Sequence, residues 1–416
     1  MTTDRRAAAA AALRIADVLA DPVEVARGLP AERRHTLGEG LAGTALLHAS
    51  LAAAVPGAAA RARAHWQLAA GAIGDSRPDG VYRGPGGLAA SLLAGAGQVS
   101  QDVLPGDAVR DAVCWLSART EAIASRQRPD PAPGPGTCPW SVYDVMSGLS
   151  GTGRILLAAH GAGWSGEAAP GLAAAMAALT RMVRSGTPDR PGWWLPAGHL
   201  PGTATGLPEG AAITGMAHGI AGPLALLALA ETTGPPFPRR RAAIRTAADW
   251  LLAVREGDSW PPRAGAAGTA PGRGTGSGRR HAWCYGAPGV TRALALASTA
   301  LDDPQYARAA GHALTALAER PVAAWDTDGP GLCHGSAGIL VCALRAGHRA
   351  LTENAAGLTL RLVAGTPSEP YGAPVAGGTG VGFLNGAAGT ALALAQYAGL
   401  LPQSPPVPWD CLLLTA

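Results

Sequence analysis

The chain has 416 residues, of which 48% are hydrophobic and 15% are charged, and it carries a formal net charge of +4. This composition allows a large hydrophobic core and excludes a globally disordered chain. All 33 basic residues are arginine, which excludes Schiff-base chemistry and lysine nucleophiles. The richness in Ala, Gly, Pro and Arg is a general bias of composition, and we expect no nucleic-acid partner.

The N-terminal segment Met1–Ala20 has two arginines followed by a run of alanines, which superficially resembles a secretory signal. Asp4, Arg14 and Asp17 and the lack of a clear cleavage site argue against a signal, so we predict an outer helix here. No charge-free stretch is hydrophobic enough to cross a membrane. We therefore expect a cytoplasmic protein without a transmembrane segment.

An internal repeat organises the whole chain. Seven times the sequence has the pattern Gly-x-x-Gly and then continues into an apolar segment rich in alanine and leucine. Successive copies are 44 to 71 residues apart, which fits one structural repeat each with loops of varying length. The copies begin at Gly40, Gly84, Gly148, Gly219, Gly286, Gly335 and Gly386.

Two kinds of helix alternate along these repeats. Segments directly after the glycines, such as Pro223–Ala230 and Ile339–Leu344, are almost uncharged, as expected of interior helices. Segments between the copies are amphipathic: Ala58–Ile73, Asp107–Ser125, Arg240–Arg255 and Pro304–Arg320. The pattern predicts an all-α protein, an α,α-toroid of seven inner and seven outer helices that forms a single domain over residues 1–416. All glycine turns would then face one end.

Three residues in this frame are good zinc ligands. Cys284 precedes the fifth glycine turn, and the adjacent Cys333 and His334 precede the sixth. Zinc prefers thiolate sulfur and imidazole nitrogen, and catalytic zinc sites usually have three protein ligands and one open position. The alternative is a set of buried free cysteines beside a hydrogen-bonded histidine. The shared position before glycine turns favours the metal site.

The other cysteines show no spacing typical of a disulfide scaffold. Cys114 and Cys342 fall on predicted helices, where we expect them to pack in the interior. Cys138 and Cys411 have no role that the sequence indicates.

Three further polar residues precede glycine turns. Asp144, His218 and Arg280 would converge with the cysteines if the toroid closes. Each has a structural alternative: Asp144 as a helix cap, His218 as a packed core histidine, and Arg280 as a charge on a solvated loop. The pair Trp193 and Trp194 in the neighbouring long loop is predicted to pack rather than to stack on a ligand.

These motifs together resemble the lanthipeptide synthetase component C cyclases. The resemblance rests on Trp283-Cys284-Tyr285-Gly286, Cys333-His334-Gly335, Ala217-His218-Gly219-Ile220 and the seven glycine turns. It covers nearly the whole chain and implies an α,α-toroid with zinc bound by Cys284, Cys333 and His334. It also implies catalytic roles for Asp144, His218 and Arg280. The proline in Gly286-Ala287-Pro288-Gly289 and the arginine-rich loop before Arg280 depart from the family pattern.

The implied reaction is addition of a peptide cysteine thiol to dehydroalanine or dehydrobutyrine, which forms lanthionine or methyllanthionine rings. The substrate would be a dehydrated precursor peptide, and the partner would be a dehydratase in a biosynthetic complex. The protein would contact a membrane only through that complex. The loops Ser185–Gly210 and Pro261–Arg280 are candidates for binding a leader peptide.

Several alternatives remain open. A cyclase-like protein that adds glutathione to dehydroamino acids would share every motif. A non-enzymatic, zinc-bearing scaffold that docks a peptide would not require Asp144, His218 and Arg280. A prenyltransferase-like toroid would replace one ligand cysteine by aspartate. A glycosidase would need paired carboxylates, for which the glycine turns offer few candidates apart from Asp144.

Overall fold

The computed structural model describes residues 3–74, 80–99, 104, 107–127, 138–200, 207–266, 280–364 and 380–416. Within them, seven inner helices each follow one glycine turn. They are α3 (Leu41–Ser50), α5 (Gly84–Ala96), α8 (Leu149–Gly161), α10 (Ala221–Thr233), α12 (Ala287–Leu301), α14 (Ser336–Ala346) and α16 (Ala387–Ala398).

Seven outer helices pack against this inner set. They are α1 (Thr3–Val18), α4 (Ala58–Gly71), α6 (Ala108–Ala124), α9 (Ser165–Val183), α11 (Arg240–Ala253), α13 (Pro304–Glu319) and α15 (Arg349–Val363). Each outer helix contacts the inner helix that precedes it, except α1, which contacts the last one, α16. Each inner helix contacts the next, and α16 returns to α3, so the ring closes. The predicted α,α-toroid is confirmed.

Short elements join these helices. They are α2 (Pro22–Arg27), α7 (Trp140–Tyr143), and 3₁₀ turns at Ala31–Arg33, Ala197–His199, Val322–Ala324 and Trp409–Leu413. A small antiparallel sheet was not predicted: β1 (Trp194–Leu195) pairs with β2 (Ala211–Ile213), which pairs with β3 (Arg263–Ala264). The sheet lies in the two long loops, of which residues 201–206 and 267–279 lie outside the described residues.

The second glycine of each motif allows a close backbone approach. A Cβ atom on Gly338 would lie 2.0 Å from the carbonyl oxygen of Leu332, six residues earlier. The same offset of six gives similar conflicts at Gly151, Gly289 and Gly389. Every inner helix therefore starts directly against the segment that leads into its turn, and only glycine fits.

The second copy of the motif is displaced by one residue. Its close approach is made by Gly86 against the carbonyl of Gly80, and Arg83 is the N-cap of α5 with extended φ and ψ of −128° and 167°. Gly40, the N-cap of α3, has the corresponding φ of −128°. Because that backbone conformation is open to any residue, an arginine can replace the first glycine here.

A ring of backbone hydrogen bonds joins the seven turns. In each link, an N–H group just before one glycine motif donates to a carbonyl just before the next, with N···O distances between 2.9 and 3.3 Å. The donor–acceptor pairs are Gly38–Tyr82, Val81–Met146, Val145–Ala217, Ala217–Cys284, Cys284–Cys333, Cys333–Leu384 and Leu384–Gly38. This ring sets the spacing of the side chains at one end of the toroid.

The last eight residues lie within the toroid. The 3₁₀ turn Trp409–Leu413 contacts α5 and α8, and Arg154 of α8 and Arg292 of α12 donate to the carbonyl oxygens of Ala416 and Thr415. The side chains from Trp409 to Leu414 are almost completely buried. The segment therefore fills the space that the inner helices surround.

Three of the four side chains that were predicted to pack are buried. Trp193 and Trp194 are buried, as predicted, with Trp193 packed edge-on against Trp250. Cys342 is buried on α14, but Cys114 is exposed on α6, so the packing prediction for Cys114 was wrong. Cys114 lies on the solvated side of an amphipathic helix. Among the described residues no helix combines the length and apolarity that a membrane crossing needs.

Candidate active site

The three predicted metal ligands meet at two adjacent turns. The Cys284 N–H group donates to the carbonyl of Cys333 across 3.3 Å, which aligns the segments before α12 and α14. The Cys284 Sγ atom lies 3.0 Å from Nδ1 of His334. The ligand atoms of Cys284, Cys333 and His334 all lie within 4.8 Å of one another. Within the described part of the chain, no other three histidine, cysteine or carboxylate ligands are grouped in this way.

A tight turn makes adjacent residues converge. The Asp328 N–H group donates to the carbonyl of His334 across 2.9 Å, and Ser336 N–H donates to the carbonyl of Gly329. A Cβ on Gly335 would lie 2.4 Å from the Gly329 oxygen. The chain thus folds back on itself at Gly335, and Cys333 and His334 can face one point.

The electrostatics of the cluster favour a thiolate. A hydrogen bond from the Cys333 thiol, with contributions from His334 and Arg280, holds the pKa of Cys284 below its usual range. The same thiolate raises the pKa of Cys333 and, by hydrogen bonding, that of His334. Two sulfur donors and one imidazole, buried and close together, are a donor set that suits a tetrahedral zinc ion with one position left open. The residues therefore fit a zinc site.

A second pair lies on the two preceding turns. Nδ1 of His218 is 2.7 Å from Oδ2 of Asp144, and the other carboxylate oxygen of Asp144 accepts from the Ser147 N–H group at 2.8 Å. Asp144 is fully buried, and burial raises its pKa against the opposing effect of His218. Asp144 thus holds His218 and the turn before α8 together, but it does not cap that helix, whose N-cap Gly148 has no side-chain capping hydrogen bond.

His218 lies at the edge of the protein surface. Its side chain is 24% exposed, and the rings of Trp140 and Tyr285 lie 4.5 and 6.4 Å from it, centroid to centroid. Since Nδ1 is engaged by Asp144, Nε2 is the nitrogen that can exchange a proton with a bound molecule.

The links of the backbone ring bring the two groups together. Val145 donates to Ala217, Ala217 to Cys284, and Cys284 to Cys333. Asp144, His218 and the metal ligands therefore follow one another along four neighbouring turns of the same end, as the sequence predicted.

Arg280 is placed beside this cluster but is not a free cation. Its Nη1 donates to Oδ2 of Asp328 at 2.5 Å, which raises the pKa of the guanidinium. Both side chains are partly exposed, and Arg280 is near enough to help lower the pKa of Cys284. Its backbone carbonyl packs on Gly286, whose φ of +96° only glycine adopts readily.

Sequence reasoning missed three members of this site. Asp328, the partner of Arg280, follows no motif that could have indicated it. Trp140 and Tyr285 stand next to recognised residues, yet only the fold shows that their rings flank His218. Both rings also pack on a small cluster of Leu195, Leu200, Leu207, Ala211 and Ile213, which borders the site.

Comparison with known proteins is consistent with this geometry. Residues 32–414 match the family described as lanthionine synthetase C-like protein. The chain belongs to the lanthionine synthetase C-like family. Among solved structures, nisin cyclase is similar with a TM-score of 0.75 and 19% sequence identity, over 96% of each chain. At 19% identity, this similarity shows that the two proteins share a fold. No curated protein matches its sequence.

Proposed function

We propose that this family member is a zinc-dependent cyclase that forms thioether rings in a ribosomally made peptide. The reaction is addition of a cysteine thiol to the β-carbon of dehydroalanine or dehydrobutyrine, which gives lanthionine or methyllanthionine. The observation that carries the proposal is the placement of Cys284, Cys333 and His334 beside the Asp144–His218 pair, at one end of the toroid.

Cys284, Cys333 and His334 would hold the zinc ion. When bound, zinc supplies a Lewis acid with an open position, at which a substrate thiol loses its proton near neutral pH. As thiolates, Cys284 and Cys333 would give the site two negative charges, which would keep a substrate thiolate nucleophilic there. Burial of both cysteines excludes water from the protein side of the centre.

Thiol addition moves the carbon–carbon double-bond electrons towards the neighbouring carbonyl, so an enolate oxygen carries the developing negative charge. The Arg280 guanidinium is the cation of the site and would stabilise that charge. Asp328 holds Arg280 in place but leaves further guanidinium N–H groups for a substrate oxygen, since arginine has five N–H donors.

The enolate must then gain a proton at its α-carbon. His218 would donate it from Nε2, because imidazole is the most frequent general acid in proteins and its Nδ1 is fixed by Asp144. The buried carboxylate of Asp144 stabilises the protonated imidazole before the transfer. Over the whole reaction, one sulfur–carbon bond forms and one carbon–carbon π bond is lost. The thiol loses one proton and the α-carbon gains one, so the mass does not change.

The proposal includes the partners and the setting of such an enzyme. A dehydrated precursor peptide with leader and core would be the substrate, and a dehydratase would act before this protein. The chain would act in the cytoplasm as a single domain over residues 1–416, at a membrane only within a biosynthetic complex. The long loops Ser185–Gly210 and Pro261–Arg280 would contact the leader peptide.

Metal analysis tests the first step. We expect one zinc per chain in the purified protein, and its loss in Cys284→Ala and Cys333→Ala variants that keep their helical circular dichroism. Cys342→Ala, which changes a buried cysteine on α14 away from this cluster, is the matched control and should retain zinc. A wild-type protein without zinc, or zinc that survives both ligand changes, contradicts the proposed centre.

A second assay separates the cyclase from its alternatives. A dehydrated peptide with internal cysteines should lose free thiol without a change of mass. Addition of glutathione to a dehydrated peptide that lacks cysteine, in the absence of ring formation, would favour the glutathione-adding relative. Tight peptide binding without either product would favour the scaffold.

A further inference from the structure

The segment Trp409–Ala416 contacts the metal-centre end of the toroid from within. Nε1 of Trp283 donates to the carbonyl oxygen of Leu413 at 2.8 Å, and the hydroxyl of Tyr82 donates to that of Leu412 at 2.5 Å. Trp283 and Tyr82 both belong to the segments that form the backbone ring. The indole contact is next in sequence to the ligand Cys284.

The same segment is anchored to the inner helices. Arg345 of α14 makes a two-pronged ion pair with the fully buried Asp410, with both N···O distances at 2.6 Å. The hydroxyl of Thr415 donates to Asp410, and Arg154 makes two hydrogen bonds to the carbonyl of Ala416. Such charge-assisted, paired contacts fix a segment more firmly than single neutral hydrogen bonds.

Trp283 is closely packed at this contact. A Cβ on Gly289 would lie 2.0 Å from the Trp283 carbonyl, and one on Gly338 would lie 3.1 Å from the Trp283 Cβ. The indole is fully buried, so its N–H group needs a partner within the protein. The Leu413 carbonyl provides that partner.

We infer that Trp409–Ala416 is a positioning element that holds Trp283, and through it Cys284, in the geometry that binds metal. The inference rests on the zinc centre of the proposed function, but the contact itself is independent of the metal. The residues of this segment would support the metal ligands without binding the metal or the substrate themselves. Indirect supports of this kind typically change metal affinity about 10–100-fold.

Two single substitutions test the positioning role while keeping the core filled. Trp283→Phe removes the indole N–H group, and Asp410→Asn weakens the anchor to Arg345 at the other end of the segment. Trp260→Phe is the matched control, because the buried Trp260 indole also donates to a carbonyl, that of Leu251, elsewhere in the fold. All three should keep the helical circular dichroism.

Zinc affinity is measured by competition with a chromophoric chelator. We expect Trp283→Phe and Asp410→Asn to bind zinc about tenfold more weakly or worse, and Trp260→Phe to bind like wild type. Equal affinities in all four proteins, or equal losses in the control and the two test variants, overturn the inference and leave only a structural role.

A metal-free readout keeps this test separate from the proposed function. In apo protein, the rate at which a thiol reagent labels Cys284 is followed by mass spectrometry, with the exposed Cys114 as internal reference. The test variants should label Cys284 severalfold faster than wild type and the control. If wild-type protein binds no zinc, the proposed centre fails, while unchanged labelling in the variants would by itself contradict the positioning role.

Discussion

Asp144 and His218 are 74 positions apart in sequence, yet Oδ2 of one lies 2.7 Å from Nδ1 of the other because successive glycine turns stand side by side. The carboxylate is fully buried and the imidazole is partly exposed. The pair therefore has one end fixed in the protein and one end open to a bound peptide.

We predict that His218→Ala lowers the rate of ring formation by about 10²–10⁴, the usual contribution of a general acid, with zinc content unchanged. Asp144→Asn should also slow the reaction, because an amide cannot stabilise the protonated imidazole. Rates measured on a dehydrated peptide, beside metal analysis of each variant, check both. A His218→Ala variant that cyclises at the wild-type rate would remove the proposed proton donor.

The same aspartate predicts a dependence of stability on pH. Burial raises the pKa of Asp144 in the folded protein, so its ionised form costs stability, and that cost grows as pH rises through the folded pKa. Asp144→Asn should therefore unfold at higher denaturant concentration than wild type at pH 8, and the difference should shrink as the pH is lowered. A variant less stable than wild type at pH 8 would show that the contacts to His218 and Ser147 outweigh desolvation.

Arg280 and Asp328 predict a graded effect. Arg280→Gln should lower the rate by about 10²–10³, the loss typical when one group that stabilises developing charge is removed. Asp328→Asn should lower it less, because the guanidinium remains but is held less firmly, and Asp328→Glu should restore part of the rate. Asp258→Asn, which breaks the Arg320–Asp258 ion pair away from the cluster, is the control. Equal rates in Asp328→Asn and wild type would mean that Arg280 needs no positioning.

Two glycines in different surroundings predict opposite effects of substitution by alanine. Gly338→Ala should lower the free energy of unfolding by more than about 3 kcal/mol, since its Cβ would meet the Leu332 carbonyl at 2.0 Å. Gly311→Ala, on the exposed face of α13 with open space around it, should instead stabilise by about 0.5–1 kcal/mol. Chemical denaturation of both variants measures their free energies of unfolding. Similar changes in the two variants would contradict the steric role of Gly338.

A buried histidine pair predicts sensitivity to acid. His65 and His48 lie between α3 and α4 with ring centroids 5.1 Å apart, and the hydroxyl of Thr44 is 2.7 Å from Nδ1 of His65. Burial, then the neighbouring His48, lowers the pKa of His65 from 6.5 to about 4, although Asp21 acts in the opposite direction.

The folded protein therefore favours neutral His65, and its contribution is complete above pH 6.5 and lost as pH falls from 6.5 towards 4. The loss amounts to about 3 kcal/mol. His65→Gln should flatten the stability profile in that window, measured by denaturation at a series of pH values. The exposed His312→Gln should leave the slope as in wild type; an unchanged slope in His65→Gln would contradict the assignment.

Much of this architecture could be predicted because its causes are local. The close approach at Gly151, Gly289 and Gly338 requires glycine, so the repeat is visible in sequence, and amphipathic periodicity placed α13 within one residue of its observed end at Glu319. Burial of the inner helices followed from the scarcity of charged residues after each turn. The second copy was recognised at Gly84, but its displacement by one residue, with Arg83 at the N-cap, could not be predicted because any residue can adopt that extended conformation.

Contacts between distant segments were beyond sequence reasoning. Nothing local indicates that Asp328 pairs with Arg280 or that Asp410 pairs with Arg345, because each contact depends on how turns and termini are brought together by the closed ring. Cys411 had no role indicated by its neighbours, and it is buried within the toroid. The residues near the centre of the site were recognised by motif, while those that hold them were found only in the fold.

The pairing of α1 with α16 has a consequence for biosynthesis. Ala8, Ala12 and Ile15 of α1 are buried, and the helix packs on α15 and α16, which are translated long after it. At about 5–20 residues per second, roughly 20 to 70 s separate the synthesis of α1 from that of its partner. Throughout that interval the apolar face of α1 must be covered by something other than its native neighbour, so a nascent chain of this protein is a natural client for chaperones until α16 leaves the ribosome.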